Sequence, residues 1–169
     1  IWHKQTNLDP VDLAIIPGGF SFGDYLRCGA LAAHAPIMNA LHDHEARGGA
    51  ILGVCNGFQI LSEAGMLPGY LARNKELKFV CKQTTLSVSS DTSCELIKSL
   101  ENSEKLHIPV AHNEGNFFAD PETLDAIESN GQVVLRYGNE DKQNSGNPNG
   151  SLNDIAGICS SNGKILGMM

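Results

Sequence analysis

The apolar run Ala50-Ile51-Leu52 leads directly into Gly53-Val54-Cys55-Asn56-Gly57, and this junction constrains the chain more than any other segment. A short apolar strand entering a turn with glycine on both sides predicts a buried strand, a sharp apex and then a helix. The same strand-to-helix turn lifts a nucleophile out of the sheet in α/β enzymes, and here a thiol occupies the apex. The glycines admit a strained backbone and keep other side chains off the apex. The helix that follows aims its unpaired N–H groups and positive end at the sulfur, which favours thiolate. The competing reading, a small core cysteine, explains burial but not the flanking glycines.

The surrounding pattern extends this into an α/β layer structure. Leu13-Ala14-Ile15-Ile16 reads as a short strand ending in Pro17-Gly18-Gly19. Apolar residues at helical spacing run from about Leu26 to Ala46, with Pro36 splitting them into two pieces or kinking them. A helix to about Glu63 follows Cys55, so the first part reads β-α-β-α with parallel strands. Beyond residue 70 the strands predicted are 78–88, 106–110 and 132–137, with a helix opening at Asp120-Pro121-Glu122 and running to about Ser129. Residues 139–150 form a polar loop. Ile155–Cys159 and Lys164–Met168 flank Ser160-Ser161-Asn162-Gly163 as a hairpin, so antiparallel pairs are expected in the second half.

Composition narrows the classes. The 169 residues fit one domain, and a net charge of −7 leaves no basic stripe for nucleic acid. No apolar run approaches the ~18 residues needed to span a bilayer, and no leader pattern opens the chain. Five cysteines, at 28, 55, 81, 94 and 159, are too irregularly spaced for a disulfide framework or a zinc site. A reducing, cytoplasmic setting follows as an expectation. The chain opens without Met and stops on the apolar run Ile165-Leu166-Gly167-Met168-Met169, so it reads as an internal fragment of a longer protein.

An acyl-transfer site needs a nucleophile, a base and donors for the developing oxyanion. The backbone N–H of Asn56 is one such donor. Gly18-Gly19, at the end of a neighbouring strand, offers a second, although taken alone it is an ordinary turn. The base is harder to assign among His3, His34, His42, His44, His107 and His112. His112, entering Asn113-Glu114-Gly115-Asn116-Phe117, is the best placed, yet a structural or substrate-contacting role suits it better. Gly18–Gly23 matches neither phosphate-loop pattern, because no Lys-Ser/Thr follows and the glycine spacing is wrong.

Pro17-Gly18-Gly19 together with Gly53-x-Cys55-x-Gly57-x-Gln59 resembles the class I, or triad, glutamine amidotransferases. The longer runs 18–30, 53–61, Arg73-Asn74, 110–118 and 154–157 are similar to the glutaminase-subunit family of phosphoribosylformylglycinamidine synthases. The resemblance covers essentially the whole chain. It implies a flavodoxin-like fold, a mixed and largely parallel sheet with helices on both faces and antiparallel additions in the second half. It also implies that Cys55 attacks the glutamine carboxamide to give a glutamyl thioester and ammonia. By the same resemblance the amides of Gly19 and Asn56 form the oxyanion hole, and Gly18, Gln59, His112, Gly115, Asn116 and Phe117 hold glutamine. Ammonia passes to a large synthetase subunit that uses ATP and Mg²⁺, with a small accessory subunit in the complex. The chain itself is expected to carry no metal or cofactor. Asp24, Arg27, Arg73 and Asn74 are candidates for the partner-facing surface.

Two departures from the family pattern stand out. The family's first strand and helix precede the position of Ile1. Its catalytic His-x-Glu follows a strand like Ile165–Met169, and no residue of this chain matches that pair, whose roles do not transfer to His112 or Glu114. Two other readings stay open at this point: a non-catalytic partner-binding module, and a cysteine hydrolase of the related flavodoxin-like superfamily, which explains the elbow but not Gln59 or the run 18–30.

Overall fold

The computed structural model describes residues 1–100, 105–138 and 146–169. Its elements are β1 (Leu13–Ile16), α1 (Ile37–Ala46), β2 (Ala50–Val54), α2 (Asn56–Glu63), β3 (Tyr70–Ala72) and β4 (Val80–Val88), then β5 (Lys105–His112), β6 (Asn116–Phe118), α3 (Pro121–Ser129), β7 (Val133–Gly138), β8 (Ile155–Cys159) and β9 (Ile165–Met168).

One seven-stranded sheet, in the order β1-β2-β9-β8-β7-β4-β5, carries the fold. β1, β2 and β9 are parallel, with Ile16 opposite Gly53 and Val54 opposite Met168. The remaining pairings are antiparallel, including the β8–β9 hairpin expected from Ser160–Gly163. The parallel character is thus confined to the third of the sheet that holds Cys55. This places Pro17-Gly18-Gly19, Cys55 and Met168-Met169 at one sheet edge, the carboxyl end where α/β sheets bind ligands. β3 and β6 form a separate two-stranded ribbon that the sequence pattern does not announce, since each strand is three residues long.

Strand alternation sends neighbouring residues to opposite faces. Ile51, Val133, Ile158 and Ile165 join one core with Phe58 and Leu61 of α2, Met38 and Leu41 of α1 and Ile127 of α3. Val134, Cys159 and Leu166 face the other core, with Leu86 and Val110. The helices are shared unequally: all three α-helices lie on the first face, and among the described residues a single 3₁₀ turn, Glu95–Ile97, covers the second.

Local chemistry sets the helix boundaries. Helical periodicity from Leu26 gives way to a 3₁₀ turn at Ala32–His34, and α1 starts only after Pro36. Proline disfavours helical backbone in the residue before it, and Ala35 is extended at φ −65, ψ 144. At α3, Asp120 caps the helix by accepting the Thr123 N–H at 3.0 Å, with Pro121 in the first turn. The expected loop 139–150 falls partly outside the described residues, and its last part is not loose: Asn149 is 1% exposed.

Candidate active site

β2 delivers its chain to the apex at Cys55, where φ is +51 and ψ −107. This conformation is unfavourable for any residue bearing a Cβ, so the surrounding structure must hold it. Three contacts do so. The Cys55 N–H donates to the Met168 carbonyl at 2.7 Å, which locks the apex onto β9. The Cys55 carbonyl accepts the Gln59 N–H at 3.2 Å and starts α2. Gly57 lies so close to the Ile16 carbonyl that any side chain there would overlap it, so α2 can rest on β1 only with glycine at this point.

Gly18 abuts the Cys55 side chain. A Cβ built there would stand 3.3 Å from the Cys55 Cβ and 4.0 Å from its sulfur. Gly19 has φ +150, a conformation that disfavours every residue with a side chain, although nothing crowds the position. The Cys55 thiol is half-buried and donates a long hydrogen bond, 3.8 Å, to the Ala111 carbonyl. Burial pushes its pKa up, the Asn56 N–H pulls it down, and the Asp24 charge pushes it up again. The helix start therefore acts as expected, but desolvation outweighs it and the resting group is a thiol.

A chain of side-chain bonds joins the three segments around the sulfur. The Ser21 N–H donates to Asn56 Oδ1 at 3.2 Å, Asn56 Nδ2 donates to Gln59 Oε1 at 2.9 Å, and Gln59 Nε2 donates to the Glu114 carbonyl at 2.6 Å. Asn56 and Gln59 are both buried. The side chain of Gln59 thus spends both ends of its amide on the protein, fixing the 113–115 turn against α2.

That turn is held from beneath by a second network. His112, 2% exposed, meets Asn74 Oδ1 through Nδ1 at 3.1 Å and Asn149 Nδ2 through Nε2 at 3.4 Å. With an amide oxygen on one side and an amide N–H on the other, the neutral ring carries its proton on Nδ1. Burial pushes its pKa down to about 4. Asn74 Oδ1 also accepts the Gly115 N–H at 3.1 Å. Asn149 Nδ2 reaches the Gly115 carbonyl at 2.7 Å and the Tyr137 hydroxyl at 3.1 Å. Ser151 Oγ accepts the Phe117 N–H at 2.9 Å.

The other expected residues divide between surface and interior. Phe117 is fully buried and stacks on Phe58 at 6.3 Å, so its ring lies in the core. Asn116 Nδ2 reaches the Arg73 carbonyl at 3.4 Å, while its Oδ1 is buried without a partner among the described residues. Of the four residues expected on a partner-facing surface, Arg27 and Arg73 are exposed, and Arg27 pairs with Glu63 at 2.6 Å. Asn74, 1% exposed, instead faces inward, because its amide closes the His112 network. Asp24 is half-buried and also turns inward: the Cys28 thiol lies against both its carboxylate and that of Glu114.

Sequence reasoning passed over Asn149, Ser151 and Cys28. Asn149 sits in Asn147-Pro148-Asn149-Gly150, where turn chemistry explains each residue without a buried role. Only the approach of the segment 147–151 to Gly115 gives it one.

The whole chain, residues 1–169, matches the model of the CobB/CobQ-like glutamine amidotransferase domain. It is 51% identical over 169 residues to the phosphoribosylformylglycinamidine synthase subunit PurQ of Trichormus variabilis, covering all of this chain and 72% of that protein. The PurQ subunit of Rhizobium meliloti is 53% identical over 170 residues, with 73% of its length covered. Among solved structures, PurLQS from Thermotoga maritima superposes with a TM-score of 0.80 at 40% identity, over 96% of this chain and 69% of the matched one. A glutamine amidotransferase of the same organism, 15% identical with a TM-score of 0.55 over 93% of this chain and 54% of its own, shares the fold. By these matches the chain belongs to the glutamine amidotransferases, and within them to the family of phosphoribosylformylglycinamidine synthase PurQ subunits.

Proposed function

We propose that this chain is the glutaminase component of a phosphoribosylformylglycinamidine synthase, with Cys55 as the residue that attacks glutamine. The observation that carries this reading is the conformation of Cys55. A half-buried thiol sits at an unfavourable backbone angle, at the carboxyl end of a central parallel strand, with Gly18 cleared of side chain against it. Strain of this kind is retained where it positions a reacting group.

The chemistry follows from the placement. The Cys55 sulfur, once deprotonated, adds to the carboxamide carbon of glutamine. Negative charge then develops on the carboxamide oxygen, which the N–H groups of Gly19 and Asn56 are assigned to receive. Collapse of the tetrahedral adduct expels ammonia, which takes a proton as it leaves, and gives a glutamyl thioester. Water adds to the thioester carbon and releases glutamate and the thiol. His112 is not the proton acceptor in this reading, because Asn74 and Asn149 occupy both ring nitrogens.

Ammonia is consumed by a large synthetase subunit, which holds the ATP and Mg²⁺, in a complex that also contains a small accessory subunit. The Thermotoga maritima complex supports this assignment by its composition. Arg27 and Arg73 are the exposed residues of the segments assigned to that contact. The setting assigned is the cytoplasm; among the described residues no helix is long and apolar enough to cross a membrane.

The test is labelling by 6-diazo-5-oxo-L-norleucine, an electrophilic glutamine analogue, in the intact gene product assembled with its synthetase. Mass spectrometry should find one adduct, on Cys55, with glutamine-dependent turnover lost in parallel and ammonia-dependent turnover kept. Labelling that persists in Cys55→Ala refutes the assignment.

A further inference from the structure

We propose that the aromatic face centred on Phe20 and Phe79 docks the synthetase subunit, whose matching surface is an apolar hollow rimmed by carboxylates. The proposal rests on the glutaminase reading and adds to it where the consumer of ammonia sits and what holds it there.

The aromatic residues of this chain are distributed against the usual rule. Of ten, Phe58, Phe117 and Tyr137 are buried, and the other seven are exposed. Aromatic rings carry large apolar areas, so a cluster of them left in water marks a surface that another molecule covers. Two turns gather this cluster. Phe20 (63% exposed), Phe22, Tyr25 and Leu26 lie on residues 20–26, and Leu77 and Phe79 (52% exposed) lie on residues 74–79. The ring centres of Phe20 and Phe79 are 6.5 Å apart, so the two turns make one surface.

The backbone of this surface is unfavourable as well. Phe22, Leu26 and Leu77 have φ of +54, +71 and +53, a region that bulky residues rarely enter. Strain of this kind persists where surrounding contacts hold it, yet these three side chains lie in solvent. A contact formed outside this chain accounts for both the strain and the exposure.

Both turns are fixed to the site. The first follows Gly18, which abuts the Cys55 side chain, and its Ser21 N–H donates to Asn56 Oδ1 at 3.2 Å. The second is held by Asn74, whose Nδ2 donates to the Lys78 carbonyl at 2.8 Å and to the His112 carbonyl at 3.0 Å. A body seated on both turns therefore stands beside the sulfur from which ammonia departs. In the glutaminase reading that ammonia has one consumer, the synthetase, and a synthetase docked elsewhere receives it only through bulk water.

Charge describes the partner further. The chain carries a net −7, but Arg73, Lys75 and Lys78 are exposed next to Phe79, with Glu76 the one acidic residue among them. An aromatic centre with a cationic border fits an apolar hollow with an acidic rim. The same border disfavours a second copy of this chain, because a twofold contact sets the basic turn against itself.

The experiment uses the full-length protein with its synthetase and accessory subunits, and reads the Kd for the synthetase by biolayer interferometry. Phe20→Ala and Phe79→Ala should each raise Kd on the order of 10- to 30-fold, with the Tm of the free subunit unchanged because both rings are exposed. The double variant Lys75→Glu/Lys78→Glu should weaken binding at low ionic strength, and the difference should shrink at about 0.5 M salt. Glutamine-dependent turnover should fall with occupancy and recover at saturating synthetase, while ammonia-dependent turnover stays constant. A Kd within about twofold of wild type in all three variants overturns the proposal. So does a loss of self-association in sedimentation with Kd kept, which makes a second copy the occupant. Should a phenylalanine variant lower Tm, the lysine pair decides by its salt dependence. Absence of Cys55 labelling by the diazoketone 6-diazo-5-oxo-L-norleucine in the wild-type complex overturns the glutaminase reading, while the affinities still decide where the synthetase binds. Wild type that binds no synthetase overturns both.

Discussion

Gln59 Nε2 donates to the carbonyl of Glu114 at 2.6 Å, while its Oε1 accepts from Asn56, so one buried amide bridges α2 to the 113–115 turn. Replacement by leucine, of similar volume, should leave Asn56 Nδ2 and the Glu114 carbonyl unpaired. Each unpaired buried group costs about 1–3 kcal/mol. Urea unfolding of Gln59→Leu should show the midpoint lowered at unchanged slope, with diazoketone labelling of Cys55 slowed more than iodoacetamide labelling.

The strain at Cys55 is separable from its chemistry. Glycine tolerates φ +51 without the penalty that a Cβ incurs, so Cys55→Gly should be more stable than Cys55→Ala by about 1 kcal/mol or more, although both are inactive. The reverse order in parallel thermal melts argues against stored strain at the apex.

Gly18→Ala tests the clearance around the sulfur. The added methyl stands 3.3 Å from the Cys55 Cβ and 3.7 Å from the Val54 carbonyl, close enough to displace the thiol without breaking the core. Glutamine-dependent turnover should fall by at least about tenfold, whereas stability should change by no more than ~1 kcal/mol. A variant with wild-type turnover would show that the glycine is there for the turn alone.

His112 makes stability depend on acidity. Its folded pKa, about 4, lies below the ordinary value of 6.5, so the unfolded chain takes up the proton first as pH falls. The stabilisation is complete above pH 6.5, is lost progressively towards pH 4, and changes little below that. The gap corresponds to on the order of 3 kcal/mol. Urea midpoints measured from pH 7.5 to 4.5 should decline for wild type and flatten across that window in His112→Gln, after allowance for a common carboxylate background.

Asn149 is the hub beneath the 112–117 turn, facing His112, the Gly115 carbonyl and the Tyr137 hydroxyl. Asn149→Leu should destabilise by about 3 kcal/mol or more, because several buried polar groups lose their partner at once. Hydrogen exchange should place the loss first at residues 112–117.

Legibility from sequence tracks the distance over which each feature is determined. The elbow at Cys55, the cap at Asp120 and the hairpin 155–168 are written in neighbouring residues, and each stands where turn and capping chemistry put it. The ribbon of β3 and β6 pairs Leu71 with Phe117, and strands of three residues leave no periodicity to detect. Asn74 looks like surface because Arg73 and Lys75 beside it are exposed; only the return of the chain at His112 gives its amide a buried partner. Asp24 is similar. Its neighbours suggest a solvated turn, and its inward placement depends on Cys28 and Glu114 meeting across the site.

The bond from the Cys55 N–H to the Met168 carbonyl also orders events in time. β2 is flanked by β1, which precedes it, and by β9, which is synthesised roughly a hundred residues after it. A ribosome therefore releases the strand that leads into Cys55 long before its second neighbour exists, and pairing across so long a loop is slow to form. Until β9 inserts, the Cys55 N–H lacks its acceptor, and only the contacts through α2 and β1 hold the apex. A chain interrupted in mid-synthesis thus lacks the Met168 bond at the Cys55 apex, and that contact waits on completion of the sheet.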